Sequence, residues 1–356
     1  MSEQVSAAIR AAIEARGPIP FSEFMELALY GPGGFYEQPP VGEQGHFVTS
    51  PHVHWIFATM LARALHSMWE GLGRPVPFRI VELGAGDGTL ARRLLTELDA
   101  VPVQYVAVER SAGARARLAE LPVRVAASLE VIEPEETAVV FANELFDNLP
   151  FEWVRQTDRG LMQVFVGTEG DRFVAIERPW PAMLADIVPQ LDTGQEAAVS
   201  FEATRIVERL ARIMSHGYAL LIDYGAGGSA QIHGYREHRV IADVLGDPGS
   251  ADITAGVDLE HLGRHARLLG MQRLGPVSQR SALMALGIAE WFEDQRKLQV
   301  DLIDRKKGLE AIRRFGGRSR ASLLLDPSGL GGLRWLLLAT PDREWPEWAV
   351  RAQEES

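Results

Sequence analysis

The chain has 356 residues, 46% of them hydrophobic, enough to bury a large core and, by length, to hold a main domain with sizeable additions. A formal net charge of -12 argues against non-specific nucleic-acid binding, and the lack of cysteine excludes disulfides, thiolate chemistry and any zinc site beyond histidine and carboxylate ligands. No run approaches the ~20 apolar residues of a membrane span, so a soluble, cytoplasmic protein with no nucleic-acid or membrane partner is expected.

In chain order, Val5, Ile9 and Ile13 recur every four residues and predict a helix that Gly17 and Pro18 end. The acids Glu3 and Glu14 speak against reading it as a targeting presequence. Residues 1–75 are read as a helical N-terminal cap, and 76–356 as the main domain. From residue 78 strands and helices alternate. FRIVELG, YVAVE, VRVAAS, AVVFANE and YALLIDYG are nearly continuous apolar runs, as suits strands covered on both faces. The fold class predicted is α/β, Rossmann-like, with a doubly wound, mostly parallel sheet.

Three additions interrupt that core. Within 151–216, FEWVRQT, LMQVFVG and RFVAIER predict an antiparallel meander, followed by a helix from about Thr204 to Ser215. Gly225 to Gly228 opens a long irregular stretch over 226–256, a length that is usually functional. After a helix ending at Gly270 and a strand at MQRLGPVSQ, a charged helical excursion covers 288–320, and LRWLLLATP reads as the last strand.

The motif that carries chemistry is VELGAGDGTL, Val81 to Leu90, between the first strand and a helix. A glycine turn there leaves backbone N–H groups free beside a nucleotide. Its spacing, Glu82 then Gly84, Gly86 and Gly88, differs from the dinucleotide fingerprint because Thr89 replaces the third glycine, which disfavours a nicotinamide oxidoreductase. The variant looks like the S-adenosylmethionine turn of Rossmann-like methyltransferases. Glu109 ends the second strand, 25 positions beyond Gly84, where an acid bonds ribose hydroxyls. Ser128, past the third strand, is a candidate for adenine contact, and Asn143 ends the fourth.

Several spaced stretches in order, ALYGPGGFY, GHFVTSPHV, VELGAGDGTL, FANELFDNLP, LIDYG and DPGSADITAGVDLEHL, resemble the MidA-like methyltransferases, a family with relatives of the mitochondrial complex I assembly arginine methyltransferase. The resemblance implies S-adenosyl-L-methionine as cofactor, a cap that contributes to the acceptor pocket, and symmetric dimethylation of a protein arginine. A small molecule or peptide acceptor, and a non-catalytic assembly factor that keeps the fold, are the alternatives. Expected partners are the methyl acceptor and a second copy in a homodimer, although the sequence itself does not set the oligomeric state.

The chain departs from the family at four positions: His46 and His52 stand where relatives usually have Asp and Glu, and Ala85 and Asp87 where they often have Pro and Arg. Glu144 and Asp147 follow the fourth strand and could orient an amine or guanidine by charge-assisted hydrogen bonds, or else cap a helix and face solvent. His46 or His52 is a candidate base, with backbone-bonded loop histidines as the alternative. His52 and His54 lack a local third ligand, so no metal is expected. Thr49, Tyr36, Asp223 and Asp252 are assigned to the acceptor pocket; Tyr30 and Tyr36 could equally be core aromatics, and Asp223 and Asp252 turn formers.

Overall fold

A computed structural model describes residues 2–37, 49–225, 232–236, 239–341 and 343–355. Its centre is a seven-stranded sheet of β1 (Phe78–Leu83), β2 (Val103–Val108), β3 (Arg124–Ala126), β4 (Glu135–Asn143), β5 (Met214–Asp223), β6 (Gln272–Ser278) and β7 (Arg334–Ala339). The spatial order is β6-β7-β5-β4-β1-β2-β3, with β7 antiparallel to both neighbours and the other pairings parallel. After β3 the chain crosses back to place β4 on the far side of β1. That reversal opens a crevice at the carboxyl ends of β1 and β4, where ligands bind in such sheets.

Side chains alternate across each strand, so β1 feeds two cores: Phe78 and Ile80 one face, Val81 and Leu83 the other. The first face is covered by helices Ile56–Gly71, Thr89–Glu97, Gln279–Ala285 and Glu347–Glu354, and the second by Phe201–Ile213 and Leu259–Leu268. Helix Ile56–Gly71 buries Phe57, Leu61 and Leu65 in the sheet core. The main domain therefore starts near residue 55, not 76 as the sequence suggested, because this helix is apolar along the face that meets the sheet.

The rest of the cap joins the insertions in a second lobe. Val5, Ile9 and Ile13 of helix Ser2–Arg16 and Phe21, Phe24 and Met25 of helix Phe21–Tyr30 share one core with Phe151, Val166, Val244 and Ile253. Ile19–Pro20 adds a short strand beside Gly160–Glu169, the middle strand of the predicted meander Glu152–Thr157, Gly160–Glu169 and Arg172–Pro179. The stretch expected to be irregular holds a small antiparallel sheet of His233–Arg236, Arg239–Ile241 and Asp252–Thr254. Its strands are too short for an apolar alternation to stand out in the sequence. The charged excursion is a pair of helices, Ile288–Asp304 and Gly308–Ser322, broken where Lys306 takes φ 61.

Candidate active site

The crevice is a cavity of about 680 Å³ between sheet and second lobe, within the size range of small-molecule sites. The glycine turn forms its floor. Gly84, Gly86 and Gly88 have φ of 69, 55 and 79, left-handed conformations that side chains oppose. A Cβ at Gly84 would lie 2.8 Å from Leu145, whereas one at Gly86 would meet nothing within 4 Å. Gly84 thus packs the turn against the β4 loop, and Gly86 leaves it open. Gly88 precedes helix Thr89–Glu97, whose first turn is tied by Asp87 accepting from Thr89 N (2.9 Å) and Oγ1 (3.0 Å).

Glu109 lies across the turn on the cavity wall, its two carboxylate oxygens accepting from Gly86 N (2.8 Å) and Ser111 N (2.7 Å). Glu82 is buried beneath, accepting from the Tyr105 hydroxyl at 2.7 Å, and burial pushes its carboxyl up to about 8. Ser128 and Asn143 also line the cavity. Asn143 donates its amide N–H to Glu144 Oε1 at 3.1 Å, and its own Oδ1 is buried without a protein partner.

Glu144 stands at the strand end with φ 51, a conformation that costs a non-glycine residue of order 1 kcal/mol or more. Its N–H is fixed to Ile222 O on β5 (2.8 Å), and its carboxylate accepts from Ser50 N (2.8 Å) at the start of the short helix Ser50–Val53. Burial, assisted by the charge of Asp147, raises this carboxyl to about 7. The strained backbone therefore presents to the cavity a carboxyl that can hold or release a proton near neutrality.

Three acids assigned to the site from sequence do not line this cavity. Asp147 turns inward, accepting from Thr254 Oγ1 at 3.0 Å, and burial raises it to about 6. Asp223 is fully buried and accepts from Leu145 N (3.1 Å), Phe146 N (2.7 Å) and Tyr224 N (2.9 Å). Asp252 accepts from Asn148 Nδ2 and the Tyr36 hydroxyl, and burial pushes it up to about 8. These acids brace the Glu144–Asn148 loop from behind, a role set by the tight turn after β4 that draws them under the backbone. Tyr36 does line the cavity, stacked on Tyr30 at 5.3 Å, and Tyr30 in turn donates to Asn148 O (2.9 Å).

Thr49 and His52 form the cap side of the wall. His52 Nδ1 meets Thr49 Oγ1 at 2.8 Å, and Nε2 meets Asp87 Oδ2 at 3.1 Å. Both ring nitrogens are engaged, so His52 latches the cap to the glycine turn instead of serving as a free base. Although burial opposes it, the hydrogen bonds from His52 and Thr89 hold Asp87 at about 2. The two positions read from the sequence as departures from the family pattern, 52 and 87, thus face each other as an imidazole and an acid. His46 lies outside the described residues. Among the described residues, no group of three or more His, Asp or Glu is placed to hold a metal ion.

The sequence reading missed the rim. Arg110 pairs with Glu26 of helix Phe21–Tyr30 and lies 4.1 Å over the Tyr30 ring, while Glu202, raised by burial, flanks the same cavity. Arg110 directly follows Glu109, but nothing local signals that a residue 84 positions earlier would meet it.

Sheet order, glycine turn and an acid at the end of β2 together define a Rossmann-like fold with a nucleotide-binding site. Comparisons specify it further. The model of an S-adenosyl-L-methionine-dependent methyltransferase family matches residues 60–277. The mitochondrial protein arginine methyltransferases NDUFAF7 of Mus musculus and Homo sapiens are 31% and 30% identical, over 78% of this chain and 72% and 71% of theirs. A protein from Burkholderia thailandensis, described as a likely methyl transferase and solved with S-adenosyl-homocysteine, is 29% identical with a TM-score of 0.83 over 98% of this chain and 94% of that one. The chain belongs to this S-adenosyl-L-methionine-dependent methyltransferase family, and S-adenosyl-L-methionine is its cofactor.

The residues present fit that cofactor. Gly86 leaves the turn open, Glu109 offers a carboxylate for hydroxyls, and the unpaired Oδ1 of Asn143 is an acceptor on the cavity wall. When bound, the cofactor supplies an electrophilic methyl group on a sulfonium.

Proposed function

We propose that the acceptor is a guanidinium nitrogen of a protein arginine, with Glu144 as the group that orients it and takes its proton. The observation that carries this reading is the Glu144 carboxyl, held on strained backbone at the cavity and tuned to about 7. A carboxylate at that point pairs with a guanidinium through charge-assisted hydrogen bonds and fixes the nitrogen lone pair for in-line transfer. Proton removal needs the ionised form; at about 7 a share of the carboxyl is ionised near neutrality, and that carboxylate is a stronger base than an ordinary one. The wall already seats one guanidinium, since Arg110 stacks on Tyr30 beside Glu26. The arginine methyltransferases among the relatives support the same acceptor. Residence in the cytoplasm is part of the reading, although those relatives are mitochondrial; cell fractionation checks it.

Methyl-labelled cofactor incubated with cell lysate, followed by separation of protein from small molecules, tests the acceptor. Label recovered from protein as methylarginine is the expected result. Label only in small molecules overturns it in favour of a tailoring enzyme, and no label in either pool favours an assembly factor.

A further inference from the structure

Gln279 closes the stretch MQRLGPVSQ and opens helix Gln279–Ala285, and it is fully buried. A buried amide is costly unless its polar atoms are paired. Here they are. Oε1 accepts from Trp335 Nε1 at 3.3 Å, and Nε2 donates to Leu324 O at 3.4 Å and to Ser50 Oγ at 3.3 Å. An indole N–H only donates and a carbonyl only accepts, so these partners fix which way round the amide lies. Trp335 sits on β7 in the sheet core, edge-on to Phe57 at 6.2 Å. The amide therefore hangs from the sheet.

Ser50 carries that anchor to the cavity. It is fully buried, and its N–H is the donor that meets Glu144 Oε1 at 2.8 Å. Burial raises the Glu144 carboxyl, and the charges of Asp147 on its own loop and of Asp223 and Tyr224 at the end of β5 disfavour a further charge there, while His52 of the cap is engaged by Asp87. The Ser50 N–H, the Asn143 amide and the Ser50 hydroxyl act the other way, by hydrogen bonds to the ionised form. We propose that Gln279 is a positioning residue: through Ser50 it holds the Glu144 carboxyl where the acceptor meets it, an inference that rests on the role given to Glu144 above. Without the amide, the segment that begins at Ser50 loses this tie to the sheet, and both Ser50 donors drift from Glu144.

Two variants of the full chain test this. Gln279→Met keeps the shape of the side chain without its N–H groups, and Ser50→Ala removes the oxygen they hold; Gln279→Asn, one methylene shorter, replaces Gln279→Met if that variant does not fold. Infrared titration of the protonated-carboxyl stretch that Glu144→Gln abolishes reads Glu144 directly, and transfer from methyl-labelled cofactor to lysate protein reads the rate. Each variant should move the Glu144 titration upward from about 7 by about 0.5 to 1 pH unit. The rate should fall roughly three- to tenfold at pH 6 and hardly at all at pH 9, because the ionised share recovers. The double variant should match Ser50→Ala, since both act through one link. A lower Tm with an unmoved titration makes Gln279 a packing residue only and overturns the proposal, as does a Gln279→Met shift that adds in full to that of Ser50→Ala. A titration that moves while the rate profile does not supports the hold on Glu144 and removes Glu144 as the base, so the two readings fail separately.

Discussion

Replacing Glu144 by Gln sets chemistry against stability at a single position. Burial holds this carboxyl at about 7, against an ordinary 4.5. Between those values the folded protein keeps a proton that the unfolded chain has released. Its ionisation therefore costs stability progressively as pH rises from 4.5 through about 7, and by a constant amount above that. The difference is worth roughly 1 to 3 kcal/mol once cavity water is allowed for. Gln can still accept the Ser50 N–H but carries no charge. It should leave stability near pH 4 unchanged and raise Tm at pH 8 by about 1 to 2 °C per kcal/mol gained. Turnover should fall by about 10² to 10⁴, and the rise of wild-type rate with pH through about 7 should vanish. Methyl transfer to the labelled acceptor, with thermal denaturation at both pH values, reads both effects. Unchanged turnover, or a variant less stable than wild type at pH 8, refutes the reasoning.

Glu109→Ala removes the acceptor of two backbone N–H groups and the carboxylate offered to the cofactor, so affinity for S-adenosyl-homocysteine should drop by roughly 1.5 to 3 kcal/mol in calorimetric titration. Retained affinity would take Glu109 out of the site. Gly86→Ala adds a Cβ that meets nothing but forces alanine to φ 55; the fold should persist, about 1 kcal/mol less stable by denaturant titration, with weaker cofactor binding. For the latch, His52→Glu or Asp87→Arg alone should weaken cofactor binding, and the pair together should recover it. A double-mutant cycle should give a coupling of about 0.5 to 3 kcal/mol, and strict additivity would show that the two residues do not act as a unit.

The central sheet was legible because its strands are buried on both faces and read as apolar runs; the turn was legible because glycine adopts the left-handed angles at 84, 86 and 88 without strain. What lay beyond the sequence is contact between distant segments. His52 and Asp87 read as two separate departures from a pattern, and only the fold brings them to 3.1 Å. Asp147, Asp223 and Asp252 look like pocket acids in a motif, yet direction depends on the turn after β4, which sends Glu144 outward and Asp147 under it. The cap showed its helices through periodicity, but not that Ile56–Gly71 packs on the sheet while Ser2–Arg16 packs on the meander.

That shared core of the second lobe has a consequence for synthesis. Val5, Ile9 and Phe24 leave the ribosome first, but their partners Phe151 and Val166, and then Val244 and Ile253, follow some 130 to 250 residues later. At about 5 to 20 residues per second, the two N-terminal helices wait roughly ten seconds to most of a minute with their apolar faces bare. Those faces stay uncovered over that interval, and the lobe docks only after most of the central sheet has been made.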